Sequence, residues 1–414
     1  MIMLSRFLNS KLVILYCIIT VILCSGHAWY TVDTTVVRLV FPAVLIFAIP
    51  VVNVFIKRNL NLHYSSFLLM CLMVVFTTLV GFGASFSYYF QLICIIFCAF
   101  GISLVYSFDD FVDIYLKIMT LVTVIGIIGY VLVLNTSFLE FLPEYENVND
   151  VVYKIGIIYN YIPTVVERNC AMFWEPGIFA THLIFSFIFE VLFKKGKMNI
   201  LRLILFSVGI ITANSAAGFL LLFLSVWIIV TKKERNGKSV NPLHVVMSFL
   251  IFLVGIAVLV NLDAIISSTF LADNEYAAKL MSDNVEASSR SLAITHNLEV
   301  FITAPIFGAG ASTVFSNVEH VADTSTSTYI MSMFGTPGIL YTFFWLYGVF
   351  KQKEQSLLTR VILASIIIII LNKEPHLNML FTWCLFFFLL KDNKSEEEQK
   401  NPIIGDYRRK YEYY

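Results

Sequence analysis

The sequence predicts an all-α, polytopic integral membrane protein of about twelve transmembrane helices. Three observations predict it. Of 414 residues, 58% are hydrophobic and only 14% charged, with a mean hydropathy of +0.82. A soluble domain of this length has no interior large enough to hide that much apolar surface. The apolar residues come in blocks of roughly 15 to 24, the length that crosses a bilayer as a helix. Between the blocks, lysine and arginine recur in alternate loops, as in a multi-pass protein of fixed orientation. Net charge is zero, so nothing favours nucleic acid as a partner.

The blocks fall near residues 12–27, 35–56, 65–83, 87–107, 114–134, 171–193, 199–213, 216–231, 243–262, 327–350, 357–371 and 375–390. The first follows Arg6 and Lys11 in the manner of a secretory signal. No small-residue cleavage site leads from it into a soluble domain, so it reads as an uncleaved first helix. "TANSAAGF" places Asn214, Ser215 and Gly218 in a tight turn between the seventh and eighth blocks. Gly335, Pro337 and Gly338 predict a kink in the tenth. Of the cysteines, Cys17, Cys24, Cys71, Cys94, Cys98 and Cys384 lie inside blocks and Cys170 at a block edge. They read as small packing residues; Cys94 and Cys98 share a helix face but have no further ligand nearby, so no metal site is expected.

Lys57-Arg58, "KKGK" at 194–197, "KKERNGK" at 232–238, and Lys351 with Lys353 fall on one side of a twelve-span chain, as do both basic termini. The positive-inside rule assigns that side to the cytoplasm. Acidic "FDDFVD" at 108–113 offers this orientation no support. The opposite side carries two long loops, about 135–169 and 263–326, where chemistry has room. The first contains apolar "IGIIYNYIP", suited to the membrane interface. The chain reads as one membrane domain with a cytoplasmic tail at 391–414.

Four outer stretches carry chemistry. In "ERNCAMFWEPG", Pro176 suits the first position of a helix and pushes Glu175 out of helical geometry. The helix therefore starts late, with Glu175 at its cap and Arg168 as the nearest outer cation. Either the two form a structural pair, or they mark the mouth of a hydrated cavity. In "EASSRSLAITHNLEVFITAPIFGAG", Ser288 caps a helix that ends before Pro305. Arg290 and Asn297 share a face, whereas His296 lies about 120° away from Arg290. The choice is between an arginine clamp for phosphate and an amphipathic surface helix. "EHVADTSTSTYI" adds His320 and Asp323, and "NKEPH" at 372–376 repeats the Glu-Pro order before the last block, reading most simply as a solvated turn. No Walker loop, GxGxxG, HExxH or GxSxG occurs, so ATP hydrolysis is not indicated.

"RNCAMFWEPGIFA", followed by "NSAAGFLLL", resembles bacterial O-antigen polymerases of the Wzy type. "SSRSLAITHNLEVFITAPIFGAG" resembles the large outer loop of the wider O-antigen polymerase and ligase superfamily, where an arginine opens a helix and a P-x-x-G-x-G turn follows. The resemblance covers about residues 160 to 340. One feature departs from it: many relatives carry His-Asn before the tenth span, where this chain reads "STSTYI". The resemblance implies a GT-C-like glycosyltransferase, without metal or cofactor, in the bacterial inner membrane. It would join oligosaccharide units carried on undecaprenyl diphosphate at the periplasmic face, with a chain-length regulator as a partner. Arg290 and Arg168 would hold diphosphate, and Glu175 would act as base or orient the acceptor. His296, Asn297, His320 and Trp174 would line the substrate. The alternatives are a ligase that moves glycan to lipid A-core and a lipid-linked oligosaccharide flippase.

Overall fold

The computed structural model describes residues 11–29, 62–79, 86–147, 151–232, 285–316 and 325–391, with the side chains of 285–292 and of some other helix residues, among them 11–14, 62–64 and 76–79, excepted. The expected spans at 35–56 and 243–262, residues 263–284 and 317–324 of the second long loop, and the tail beyond Lys391 lie outside the described residues. What is described is mostly helical. In chain order the helices are α1 (Lys11–Leu23), α2 (Leu62–Leu79), α3 (Phe86–Val105), α4 (Phe108–Asn135), α5 (Pro176–Ile188), α6 (Ile200–Ala213) and α7 (Ala216–Thr231). Then follow α8 (Val285–Thr303), α9 (Ala311–Ser316), α10 (Thr326–Phe334), α11 (Thr336–Phe350), α12 (Leu357–Leu371) and α13 (Leu380–Leu390).

Among the described residues, three stretches are long and apolar enough to cross a membrane: Tyr88–Val105, Phe108–Asn135 and Pro176–Phe193. They differ in their surroundings. The apolar window of Pro176–Phe193 is 89% buried and that of α4 only 28%, so α5 is the central helix and α4 a peripheral one. Phe111, Tyr115, Phe185, Phe189 and Phe381 pack around the last turn of α5, Tyr115 and Phe381 stacking at 4.9 Å. Rings supply large contact area at little rotamer cost, which suits a core that lipid alone would not drive together.

Caps and breaks follow the local sequence. Ser107 opens α4 by accepting from Asp110 N, and Ser215 opens α7 by accepting from Gly218 N. Asn214 turns the chain between α6 and α7 at φ 47°, a left-handed position that asparagine tolerates. The expected kink in the tenth span is a full break. Gly335, at φ +68°, separates α10 from α11. A Cβ there would lie 2.6 Å from the Ile306 carbonyl, so the break requires glycine twice over. The "PIFGAG" turn locks into it: Thr336 N donates to Pro305 O at 2.7 Å and Ala309 N to Ser332 O at 2.9 Å.

The first long loop is partly sheet. β1 (Glu144–Glu146), β2 (Val152–Ile155) and β3 (Asn160–Tyr161) form an antiparallel sheet in that order, with Tyr145 opposite Tyr153. The last span is shorter than the 375–390 expected. Residues His376–Asn378 form a single 3-10 turn and α13 starts only at Leu380.

The helix ends gather at two poles. At one, Lys195 pairs with Asp109, Lys351 Nζ donates to Leu390 O at 2.7 Å, and Lys391 Nζ to Ser103 O at 3.0 Å. Among the described residues, this basic pole gathers Lys195, Lys351 and Lys391 from separate loops. The opposite pole joins the ends of α1, α4 and α6, the starts of α5 and α13, and the sheet.

Candidate functional site

The opposite pole is built around the strap 167–175. Its backbone is tied down on three sides. Ala28 N donates to Met172 O at 3.1 Å and Trp174 N to Gly26 O at 2.9 Å, so residues 26–28 pair with 172–174 as a short antiparallel bridge. Asn160 Nδ2 donates to Phe173 O at 2.9 Å from β3. Asn169 N donates to Thr212 O at 2.9 Å and its Nδ2 to Thr212 Oγ1 at 3.0 Å, fastening the strap to the end of α6. Asn169 Oδ1 also accepts from Ala171 N, which holds Ala171 in the left-handed region at φ 49°.

Glu175 is the N-cap of α5, with extended backbone at φ −143°, and Pro176 takes the first helical position. Its carboxylate makes no capping bond and is half-buried. Arg168 is also half-buried, and its Nε is buried without a hydrogen-bond partner among the described residues. Among the described residues no ion pair joins Arg168 to Glu175, so the structural-pair alternative raised by the sequence does not hold. Both instead act on Cys170 between them. Burial pushes the Cys170 thiol well above its usual range, Arg168 opposes this and Glu175 adds to it. Cys170 is thus no thiolate nucleophile. Burial likewise raises the Tyr153 and Tyr159 phenols. Trp174 is half-buried, packed between the helical core and the smaller cluster around the sheet.

The partner of the α5 start is the "NKEPH" turn, which the sequence placed in solvent. It is buried instead: Lys373, Glu374 and His376 are each under 5% exposed. Lys373 Nζ donates to Gly177 O at 3.3 Å and lies 3.6 Å from Glu374 Oε1, an ion-pair distance. Gly177 makes the approach possible, because a Cβ there would overlap Glu374 Oε1 and sit 3.1 Å from Lys373 Nζ. A short polar run between two apolar blocks gave no sign of burial. The repeat of Glu-Pro at 175–176 and 374–375 was the available signal, since the two segments meet.

Polar side chains extend this centre. His376 N donates to Thr326 Oγ1 at 2.7 Å, Thr326 Oγ1 donates to Glu374 O at 2.9 Å, and His376 Nδ1 bonds Thr382 Oγ1 at 3.1 Å. His376 Nε2 is buried without a hydrogen-bond partner among the described residues. One layer deeper, His182 Nε2 bonds Ser25 O at 2.8 Å, so its Nδ1 accepts from Tyr115 Oη at 2.7 Å. Toward α8, Ser325 Oγ donates to Asn372 Oδ1 at 2.8 Å, Thr328 Oγ1 to Ser325 Oγ at 2.7 Å, and Asn297 Nδ2 to Thr328 Oγ1 at 3.1 Å. Buried Asn297 therefore links α8 to the "NKEPH" turn. His296, on another face, spends Nε2 on Val314 O at 3.1 Å in α9. Arg290 belongs to α8, but its side chain lies outside the described residues, as does all of His320. Among the described residues no group of three His, Cys, Asp or Glu could hold a metal ion.

No protein-family model matches this chain, and no curated protein matches it significantly.

Proposed function

We propose that the chain is a surface-polysaccharide polymerase of the Wzy kind, spanning the bacterial inner membrane about twelve times with both termini in the cytoplasm. It joins oligosaccharide units carried on undecaprenyl diphosphate at the periplasmic face. An acceptor sugar hydroxyl attacks the anomeric carbon of the donor glycan. The new glycosidic C–O bond forms as the bond to diphosphate breaks, and the hydroxyl proton passes to a base. The donor bond already stores the needed energy, which fits a chain without a nucleotide-binding motif.

The observation that carries this reading is the pole opposite the basic loops. There the most buried of the three long apolar stretches starts late, at Pro176, and leaves Glu175 and Arg168 half-exposed without pairing to each other. Glu175 is assigned the proton. Arg168 and Arg290 are assigned the departing diphosphate, since a guanidinium fork meets two oxygens at once. Asn297 positions α8, and with it Arg290, through Thr328, Ser325 and Asn372.

The deciding measurement is the lipopolysaccharide ladder of a deletion strain. Loss of a polymerase leaves lipopolysaccharide capped with single units. Loss of a ligase removes all caps, and loss of a flippase strands undecaprenyl-linked units inside. Wild-type complementation restores long chains; Arg290→Ala and Arg168→Ala, at normal protein levels, do not. Long chains in both variants would end the diphosphate-clamp assignment.

A further inference from the structure

The turn that plugs the break between α10 and α11 belongs to the second long loop, yet it lies at membrane depth. α11 ends beside Lys351, whose Nζ donates to Leu390 O at the basic pole. Its fifteen residues span about 22 Å, short of the roughly 30 Å of a hydrocarbon layer. In a chain that crosses a bilayer, Gly335 at the start of α11 therefore sits inside that layer, and any tilt of α11 only deepens it. Backbone groups freed by a helix break find no water there. Residues 305–310 meet them instead. Ser332 O accepts from Ala309 N at 2.9 Å and Met333 O from Gly310 N at 3.2 Å, while Thr336 N and Oγ1 both donate to Pro305 O. The fit needs Gly308, at φ +75°, since a Cβ there would lie 2.3 Å from Met333 O.

The flanking helices go down and come back. α8 descends beside α10: Asn297 bonds Thr328 and Pro305 bonds Thr336, equal steps along the two segments. α9 returns along α8, where His296 Nε2 bonds Val314 O, and against α3, where Tyr89 Oη accepts from Ala311 N at 3.2 Å. At the bottom, the large exposed side chains are apolar: Ile302 is 73% exposed, Ile306 61% and Phe307 54%. Exposed Thr303 gives its hydroxyl to Val300 O at 2.7 Å. The nearest exposed charge on α8 is Glu299, about one turn above Ile302. Below the tip, exposed Ile339, Phe343, Tyr347 and Phe350 continue the apolar surface down one face of α11.

We infer that residues 298–316 form a re-entrant hairpin, with Ile302, Ile306 and Phe307 seated among the acyl chains of the strap-side leaflet. Two observations choose acyl chains over water or a second protein. The tip is fastened to a helix break that lies within the hydrocarbon layer, and its apolar side chains run on into the lipid-facing stripe of α11. α8 then joins two media. It ends at Thr303, so Arg290 stands about 20 Å back along the helix from the tip, and the hairpin sets its height above the hydrocarbon. The inference needs only that the chain spans a bilayer, not that it polymerises sugar.

The test uses the full chain in phosphatidylethanolamine–phosphatidylglycerol nanodiscs. A nitroxide is attached to Ile302→Cys, Ile306→Cys or Phe307→Cys, and to Thr295→Cys, exposed higher on α8, as the water-side reference. Signal from label taken up by the unsubstituted chain is subtracted. Relaxation of the nitroxide is measured with oxygen, which concentrates among acyl chains, and with a water-soluble nickel chelate. The oxygen-to-nickel ratio should rise several-fold from 295 to 302 and be highest at 306 and 307. A ratio at 306 and 307 as low as at 295 would put the tip in water and overturn the hairpin. Weak relaxation by both agents at all three tip positions would mean that a second copy or another protein covers the tip, and would overturn the acyl-chain assignment. Either failure leaves the polymerase reading to the polysaccharide ladder, which decides it separately.

Discussion

At the basic pole, Glu190 has both carboxylate oxygens engaged. Oε1 accepts from Lys194 Nζ at 2.8 Å and Asn199 N at 2.7 Å, and Oε2 from Arg202 Nη1 at 2.7 Å. It sits in the π-helical turn Phe189–Phe193 that ends α5, and its side chain is fully buried. At the other end of the same stretch, Glu175 caps the helix with no side-chain bond and stays half-exposed. One chain segment thus carries two carboxylates under opposite terms. A buried carboxylate held by three donors, two of them cations, serves as scaffold. A carboxylate and a guanidinium that flank one buried thiol without an ion pair between them retain capacity for a ligand.

The same substitution at the two ends gives the widest separation. Glu190→Gln leaves Lys194 and Arg202 without their counter-charge and turns an amide N–H toward a donor. It should cost about 3–5 kcal/mol, read as a large fall in thermal midpoint in detergent. Unchanged stability would remove Glu190 from the scaffold and break the contrast.

Next in size is the buried pair at the opposite pole. Lys373→Met should cost about 3 kcal/mol, because Glu374 keeps its charge in an apolar setting. Lys373→Met with Glu374→Met together should cost less than the single change, since no lone charge remains. A double variant worse than the single would show that the pair's bonds to its surroundings, such as Lys373 to Gly177 O, outweigh the lone charge. Gly177→Ala forces a methyl into Glu374 Oε1 and should cost about 1–3 kcal/mol. If Gly177→Ala unfolds like wild type, the two Glu-Pro segments do not meet as described.

What the sequence made legible was local. Uniform apolar runs gave most described helices to within a few residues, Pro176 gave the start of α5, and Gly335-Thr-Pro-Gly gave the break between α10 and α11. Contacts between distant segments were not legible. Nothing in "SGHAW" announces that residues 26–28 pair with 172–174, because backbone pairing leaves no side-chain pattern in so short a bridge. The sheet in the first long loop was missed because its strands are four residues or fewer. Lys373 and Glu374 looked solvated because a buried turn and an exposed one have the same composition when both lie between apolar blocks. Glu190 was hidden inside a block, its partner Lys194 read as an orientation signal rather than as a ligand, and Arg202 lay unremarked inside the next block. For the candidate site, the sequence picked out Glu175 and Arg168 and left open whether they pair or mark the mouth of a hydrated cavity. It also put Arg290 and Asn297 on one helix face, of which the structure shows the Asn297 contact that ties α8 to the α10 start.

The smallest effect on stability is the most informative for function. Glu175→Gln preserves shape, and no side-chain hydrogen bond of the cap is lost. Its stability should stay within about 0.5 kcal/mol of wild type. If Glu175 takes the acceptor proton, the amide cannot, and the polysaccharide ladder of the complemented strain should collapse to single-unit caps at normal protein levels. Glu175→Asp keeps the carboxylate but withdraws it by one methylene, so partial chain lengthening is expected there. A ladder of normal length from Glu175→Gln would assign Glu175 to the geometry of the α5 start. The proton would then have to pass to another group at this pole, and His376 is the first to test because its Nε2 is buried without a hydrogen-bond partner among the described residues.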